Sequence, residues 1–270
     1  GYFRVPVRLT LREGRPILRL LDPSRRDRLP EPVRVAVLAS GGGTNLQSLL
    51  DRFNAVESPV ARVELVVASR PGIGALERAE RMGVPTATLS VREMGAEAYT
   101  EALLAELDRR RVGLVVLAGF LQLVPLAVVE RYEGRMINIH PALLPPSGGA
   151  GLYGMRVHRA VIESATRVSG ATVHHVSEEY DSGAVIAQWP VPVLPGDTPE
   201  ALAARVLATE HRLLPLVVEE LARGGASPVQ RFTDPVAFDL VPRSGPAEES
   251  IRGLMTTGDR GQGTGDSLHG

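Results

Sequence analysis

From Val33 to Ala118, short apolar runs alternate with amphipathic stretches, and this alternation constrains the fold more than any other feature of the chain. Val33 to Ala39, Val63 to Ala68, Val84 to Leu89 and Leu114 to Ala118 read as strands. Asn45 to Phe53, Gly74 to Met82 and Glu97 to Arg111 read as helices, the last with Tyr99, Leu103 and Leu107 on one stripe. Strands that are apolar throughout need cover on both sides. The expected fold is therefore α/β: an open, mainly parallel, twisted sheet with helices on both faces.

The second half departs from this rhythm. Arg135 to Ile139 reads as a strand ending at His140-Pro141, followed by a proline- and glycine-rich loop over 141–154. A helix near Val157 to Ser164 precedes two strands, Ala171 to Val176 and Ala184 to Pro192, joined by a short polar turn. That turn predicts an antiparallel addition to the sheet. The last helix opens with Thr198-Pro199-Glu200, a cap residue followed by proline at the first helical position, and runs to about Arg223. Pro215 is expected to kink it.

Three segments result. Residues 1–32 form an extension and charged linker, with a small hairpin expected across Glu13-Gly14; Arg25, Arg26 and Arg28 read as solvated linker charges. Residues 33–223 form the main domain. Residues 224–270 form a C-terminal extension whose Gly, Ser, Thr, Asp and Arg content predicts disorder beyond about Ser244.

Composition narrows the function. The 30 basic and 31 acidic side chains argue against a general nucleic-acid binder but allow a local anion site. The absence of cysteine removes disulfides, thiolate metal sites and cysteine nucleophiles together. The longest apolar stretch, Val115 to Val124, contains Gly119 and Gln122 and is too short to span a bilayer. Arg4, Arg8, Arg12, Glu13 and Arg15 break up any signal-peptide core, so a cytoplasmic location is expected.

Ser40-Gly-Gly-Gly-Thr-Asn45 lies between the first strand and the first helix. Glycines there admit close approach of a ligand, and the N–H groups and dipole at the helix start favour an anion. A tight turn is the plainer reading, but one glycine would suffice for it. A dinucleotide fingerprint would need glycine at Leu46 and an acid after the second strand, where Ser69-Arg70 stand; no lysine follows, so this is not a P-loop. A small phosphorylated substrate fits best.

Asn138 and His140 are two residues apart at a strand's end, so both side chains leave the same face. They also lie at the carboxyl end of a sheet strand, where open α/β folds bind ligands. An amide donor beside an imidazole suits acyl chemistry: the amide stabilises an oxyanion and the imidazole moves a proton. Asp181, in Glu178-Glu-Tyr-Asp-Ser-Gly183, reads from spacing alone as a turn residue. Adjacent His174 and His175 must point to opposite faces, one of them to the site. His158 and His211 read as structural helix residues, and His269 falls in the tail. No His–carboxylate spacing suggests a metal site.

With these residues in view, the chain resembles the folate-dependent formyltransferases, the phosphoribosylglycinamide formyltransferase (GAR transformylase) family of purine synthesis. The matching stretches are Val37-Leu-Ala-Ser-Gly-Gly-Gly-Thr-Asn-Leu-Gln47, Val116-Leu-Ala-Gly-Phe120, Asn138-Ile-His-Pro-Ala-Leu-Leu-Pro145, Gly170-Ala-Thr-Val-His174, Glu179-Tyr-Asp-Ser-Gly183, Gln188-Trp-Pro-Val-Pro-Val193 and Glu210-His211. They span about residues 33 to 223, in family order.

The resemblance implies a Rossmann-like formyltransferase fold and a 33–223 catalytic domain. It implies transfer of the formyl group of 10-formyltetrahydrofolate, as co-substrate and without a metal, to the amine of glycinamide ribonucleotide. It assigns catalysis to Asn138, His140 and Asp181, and ribotide and phosphate binding to Gly43, Thr44, Asn45 and Glu210. Folate binding falls to Leu121, Gln122, Leu123, Val124, Asn138, Ser177, Glu178, Glu179, Tyr180 and Asp181, with His174 in support. The partners implied are small molecules, not nucleic acid or membrane, acting on a monomer or homodimer.

Two positions depart from the family: relatives often carry Arg at Gln122, and a folate-touching Arg of some relatives falls at Ala96. The rival readings are formyltetrahydrofolate deformylase, transfer to another amine, and a non-catalytic phosphate-ligand-binding domain. A deformylase would be expected to carry a regulatory domain before the sheet, for which 32 residues are too few.

Overall fold

The computed structural model describes residues 10–12, 15–17, 31–57, 59–144, 154–178 and 181–224. The chain divides into two units, Gly1–Glu31 and Pro32–Gly270. In the first, β1 (Thr10–Arg12) and β2 (Arg15–Ile17) pair antiparallel, with Thr10 opposite Ile17. The expected turn at Glu13-Gly14, residues 1–9 and 18–30, and the tail 225–270 lie outside the described residues.

The second unit runs β3 (Val33–Ala39), α1 (Thr44–Phe53), β4 (Ala61–Ala68), α2 (Gly74–Arg81), β5 (Thr86–Thr88), α3 (Val91–Met94), α4 (Ala96–Arg109), β6 (Leu114–Leu117), α5 (Leu126–Arg131), β7 (Met136–His140), α6 (Met155–Glu163), β8 (Val168–His175), β9 (Val185–Pro192) and α7 (Pro199–Ala222). The sheet order is β5-β4-β3-β6-β7-β8-β9. Within β5-β4-β3-β6-β7 each adjacent pair is parallel. Strand β8 runs antiparallel to both β7 and β9, which is the addition the polar turn predicts.

The period of two in a strand divides the core. Val35, Val37 and Ala39 of β3 pack with α1, α2, α6 and α7, whereas Ala36 and Leu38 pack on the opposite side with α4 and α5. The Tyr99, Leu103 and Leu107 stripe is the fully buried face of α4. Each of the two leucines, buried to this degree, stabilises the fold by roughly 1.5–3 kcal/mol. The sequence pattern did not reveal α3 and α5, whose four and six residues are too short to show a helical period.

Helix α7 begins where the sequence places it: Thr198 Oγ1 accepts from the Ala201 N–H at 3.2 Å, and Pro199 opens the first turn. It continues through Pro215 to Ala222 without a break. Its buried face carries Leu202, Val206, Leu213, Leu214, Val217 and one acid, Glu210. The strand order reverses between β3 and β6, because β4 and β5 lie on one side of β3 and β6 to β9 on the other. Such a switch point opens a crevice beyond the carboxyl ends of the strands. The loops at that crevice are 40–43 and 118–125.

Candidate active site

A cavity of about 680 Å³ lies at this end of the sheet. Its walls are largely apolar, with Leu117, Leu121, Leu123, Val124, Ile139 and Met155 among them, and its polar groups come from several elements. Asn45 comes from α1, Asn138 and His140 from β7, His174 and Asp181 from β8 and the turn beyond it, and Glu210 from α7. An apolar pocket with a few directed polar groups is the usual form of a small-molecule site.

The β7 pair stands where strand periodicity places it. His140 is buried, and Asn138 is half-buried on the same face. His174 joins them through register: it lies directly opposite Asn138 across the β7–β8 pairing. Opposed residues of an antiparallel pair put their side chains side by side. Asn138 Nδ2 is 3.0 Å from His174 Nε2. His174 Nδ1 lies 2.8 Å from the His175 carbonyl oxygen, which can only accept. The Nδ1–H therefore donates to that carbonyl, and in the neutral ring Nε2 accepts from the Asn138 amide. This network fixes which end of the amide is nitrogen. His175, on the other face, is held below the usual histidine range by burial.

Asp181 is brought back over β8. Its Oδ1 lies 3.5 Å from each of His140 Nδ1, His174 Nε2 and Asn138 Nδ2. Three local features hold it there. Asp181 itself adopts a left-handed backbone at φ 53, which Asp tolerates better than most residues. Ser177 and Ser182 join their hydroxyls across the turn at 2.8 Å. Gly183 crosses so close to β8 that a Cβ there would lie 1.8 Å from the His175 carbonyl oxygen. Glu179 and Tyr180 lie outside the described residues; Ser177 lines the cavity, and exposed Glu178 does not.

In the same cavity, Asn45 Nδ2 donates to Glu210 Oε2 at 2.7 Å. Burial pushes the Glu210 carboxyl up to about 7, against the lowering effects of Asn45 and His140. Gly43 caps α1 and Thr44 opens it, and neither is in the cavity wall. Leu121 to Val124 line the cavity together, with Leu121 and Leu123 exposed. Their loop is tied to the glycine loop through buried Ser40, whose Oγ accepts from the Leu121 N–H at 3.0 Å and from the Ser69 hydroxyl at 2.9 Å.

Three buried polar atoms of cavity residues have no partner among the described residues: Asn45 Oδ1, Gln122 Oε1 and His158 Nδ1. Each such atom costs about 1–3 kcal/mol unless something satisfies it. His158, expected as a structural helix histidine, is on α6 and also lines the cavity. It is buried on α6, kept below the usual range by burial and by the His140 charge. Its sequence signal was only a histidine on the apolar face with Val157 and Val161. Among the described residues, no cluster of three or more His, Asp or Glu has metal-holding geometry, and no helix is long and apolar enough to cross a membrane.

A family model described as formyl transferase matches residues 33–218. The chain is 42% identical over 191 residues to the chloroplastic phosphoribosylglycinamide formyltransferase of Arabidopsis thaliana, covering 70% of this chain and 65% of that protein. It is 37% identical over 195 residues to phosphoribosylglycinamide formyltransferase of Escherichia coli (strain K12), covering 71% of this chain and 88% of that protein. Against the trifunctional purine biosynthetic protein adenosine-3 of Gallus gallus it is 41% identical, and it spans 19% of that longer protein. Its structure is similar to that of glycinamide ribonucleotide transformylase 1 from Symbiobacterium toebii, with a TM-score of 0.65 and 38% identity over 72% of this chain and 89% of that one.

Proposed function

The chain belongs to the formyl transferase family, and we propose that it moves the formyl group of 10-formyltetrahydrofolate to the amine of glycinamide ribonucleotide. The observation that carries this reading is the meeting of Asn138, His140 and Asp181 at one cavity that the Asn45–Glu210 pair also lines. The trio offers acyl-transfer groups, and the pair offers groups for a phosphorylated sugar.

In this reading the ribotide phosphate lies on the N–H groups of Gly43, Thr44 and Asn45, and Glu210 accepts from the ribose hydroxyls. Leu121 to Val124 and Ser177 to Asp181 flank the folate ring. The amine nitrogen attacks the formyl carbon, and the carbonyl electron pair moves to oxygen. Asn138 Nδ2–H and protonated His140 stabilise that oxyanion, with Asp181 beside the His140 ring to orient it. Collapse breaks the bond from carbon to the folate nitrogen. That nitrogen gains one proton and the attacking amine loses one, so the products are formylated ribotide and tetrahydrofolate.

The test is transfer of label. With 10-formyltetrahydrofolate carrying carbon-13 in the formyl group, the label is expected in an amide of the ribotide. Label recovered as formate instead would overturn the reading.

A further inference from the structure

We infer that Arg78, on α2 and outside the cavity, is a positioning residue for the phosphate: it holds the Gly42 carbonyl so that the next N–H faces the ligand. This rests on the reading of the glycine loop as the ribotide phosphate site. The loop between β3 and α1 lies on the first turns of α2. The Ala75 N–H donates to the Gly41 carbonyl at 3.2 Å. Arg78 Nε donates to the Gly42 carbonyl at 2.8 Å, and its Nη1 donates to Gln47 Oε1 at 3.1 Å.

A trans peptide points the C=O of one residue and the N–H of the next in opposite directions. With the carbonyls of Gly41 and Gly42 turned onto α2, the N–H groups of Gly42 and Gly43 are turned away from it. Neither has a backbone acceptor among the described residues, and nor do Thr44 and Asn45, whose N–H groups open α1. Successive N–H groups facing one way form an anion cradle. Arg78 thus sets its orientation from behind, while Gln47, one turn into α1, ties the same guanidinium to the helix.

The glycines fit this arrangement. A Cβ on Gly43, at φ 72, would lie 2.6 Å from Ala75 Cα, and a Cβ on Gly74 would lie 2.9 Å from the Gly42 oxygen. Loop and helix meet backbone to backbone, so at least two of these glycines serve that contact. Arginine suits the position because Nε and Nη1 form a rigid fork serving two acceptors at once, which a lysine ammonium does not reproduce.

The experiment is initial-rate kinetics of the wild type, R78Q and R78K with both substrates varied. R78Q is expected to raise the KM for glycinamide ribotide about tenfold or more. Its kcat at saturating ribotide and its KM for the formylfolate are expected to stay within about twofold of wild type. R78K is expected to recover only part of the loss. An unchanged ribotide KM in R78Q, equal rises in both KM values, or full recovery in R78K would overturn the orienting role. Wild-type protein that fails to formylate the ribotide would count against the functional reading instead. Calorimetric titration with inorganic phosphate then decides the role of Arg78: weaker binding by R78Q than by wild type supports it, and equal binding, or none by either, overturns it.

Discussion

Asn138 and His174 face each other across β7 and β8, and His174 accepts from the Asn138 amide at 3.0 Å while its other nitrogen is committed to the His175 carbonyl. The amide is thereby held with nitrogen toward the reacting groups. Among the described residues its second hydrogen meets the long contact to Asp181, and it is the hydrogen placed to serve a developing oxyanion.

Asn138→Ala and His140→Ala are each expected to lower kcat by about 10²–10³, the usual loss for one oxyanion donor. Saturation kinetics with both substrates measure this. Near-normal turnover in either variant would remove that residue from the chemistry.

His174→Ala is expected to lower kcat by about tenfold, a smaller loss, because the Asn138 amide remains but is free to turn. Both KM values should stay close to wild type. Much of the rate should return in His174→Gln, whose amide oxygen can accept the same hydrogen. A loss as large as that of Asn138→Ala would mean that His174 touches the substrate itself.

Gly183→Ala is expected to fold and to lose at least about tenfold in kcat with little change in ribotide KM. A Cβ cannot stand 1.8 Å from a carbonyl oxygen, so the turn must shift and carry Asp181 off His140. The kinetics are read beside a thermal melt; unchanged kcat would show that the turn does not set the position of Asp181.

Glu210 gives a pH-dependent stability effect. Its carboxyl is carried from 4.5 to about 7 by burial, so the native state holds a proton that the unfolded chain has released. Stability therefore falls as pH rises between these values, by up to about 3 kcal/mol, and does not fall further above them. Glu210→Gln should melt higher than wild type at pH 8 and close to it at pH 4, while its ribotide KM rises. Equal melting differences at both pH values would contradict the proton count.

Much of this was legible in the sequence. Val33–Ala39 and the Tyr99 stripe of α4 announced themselves by period, and Asn138 and His140 share a face because strands repeat every two residues. The closeness of Asp181 was not legible from spacing: it depends on a left-handed residue, a serine pair and a glycine pressed onto β8, none of which has a period. His174 needed the β7–β8 register, and His158 looked like any core histidine until the cavity was found beside it. Arg78 was hidden because its partners, the Gly42 carbonyl and the Gln47 side chain, lie more than thirty residues away in sequence.

The most direct measurement follows tetrahydrofolate release from 10-formyltetrahydrofolate with and without glycinamide ribonucleotide. Release should begin only when the ribotide is added and should match formylated ribotide one for one. Release at the same rate without the ribotide would make water the acceptor, and no release in either case would leave a binding domain; both would contradict formyl transfer to an amine on a phosphorylated sugar.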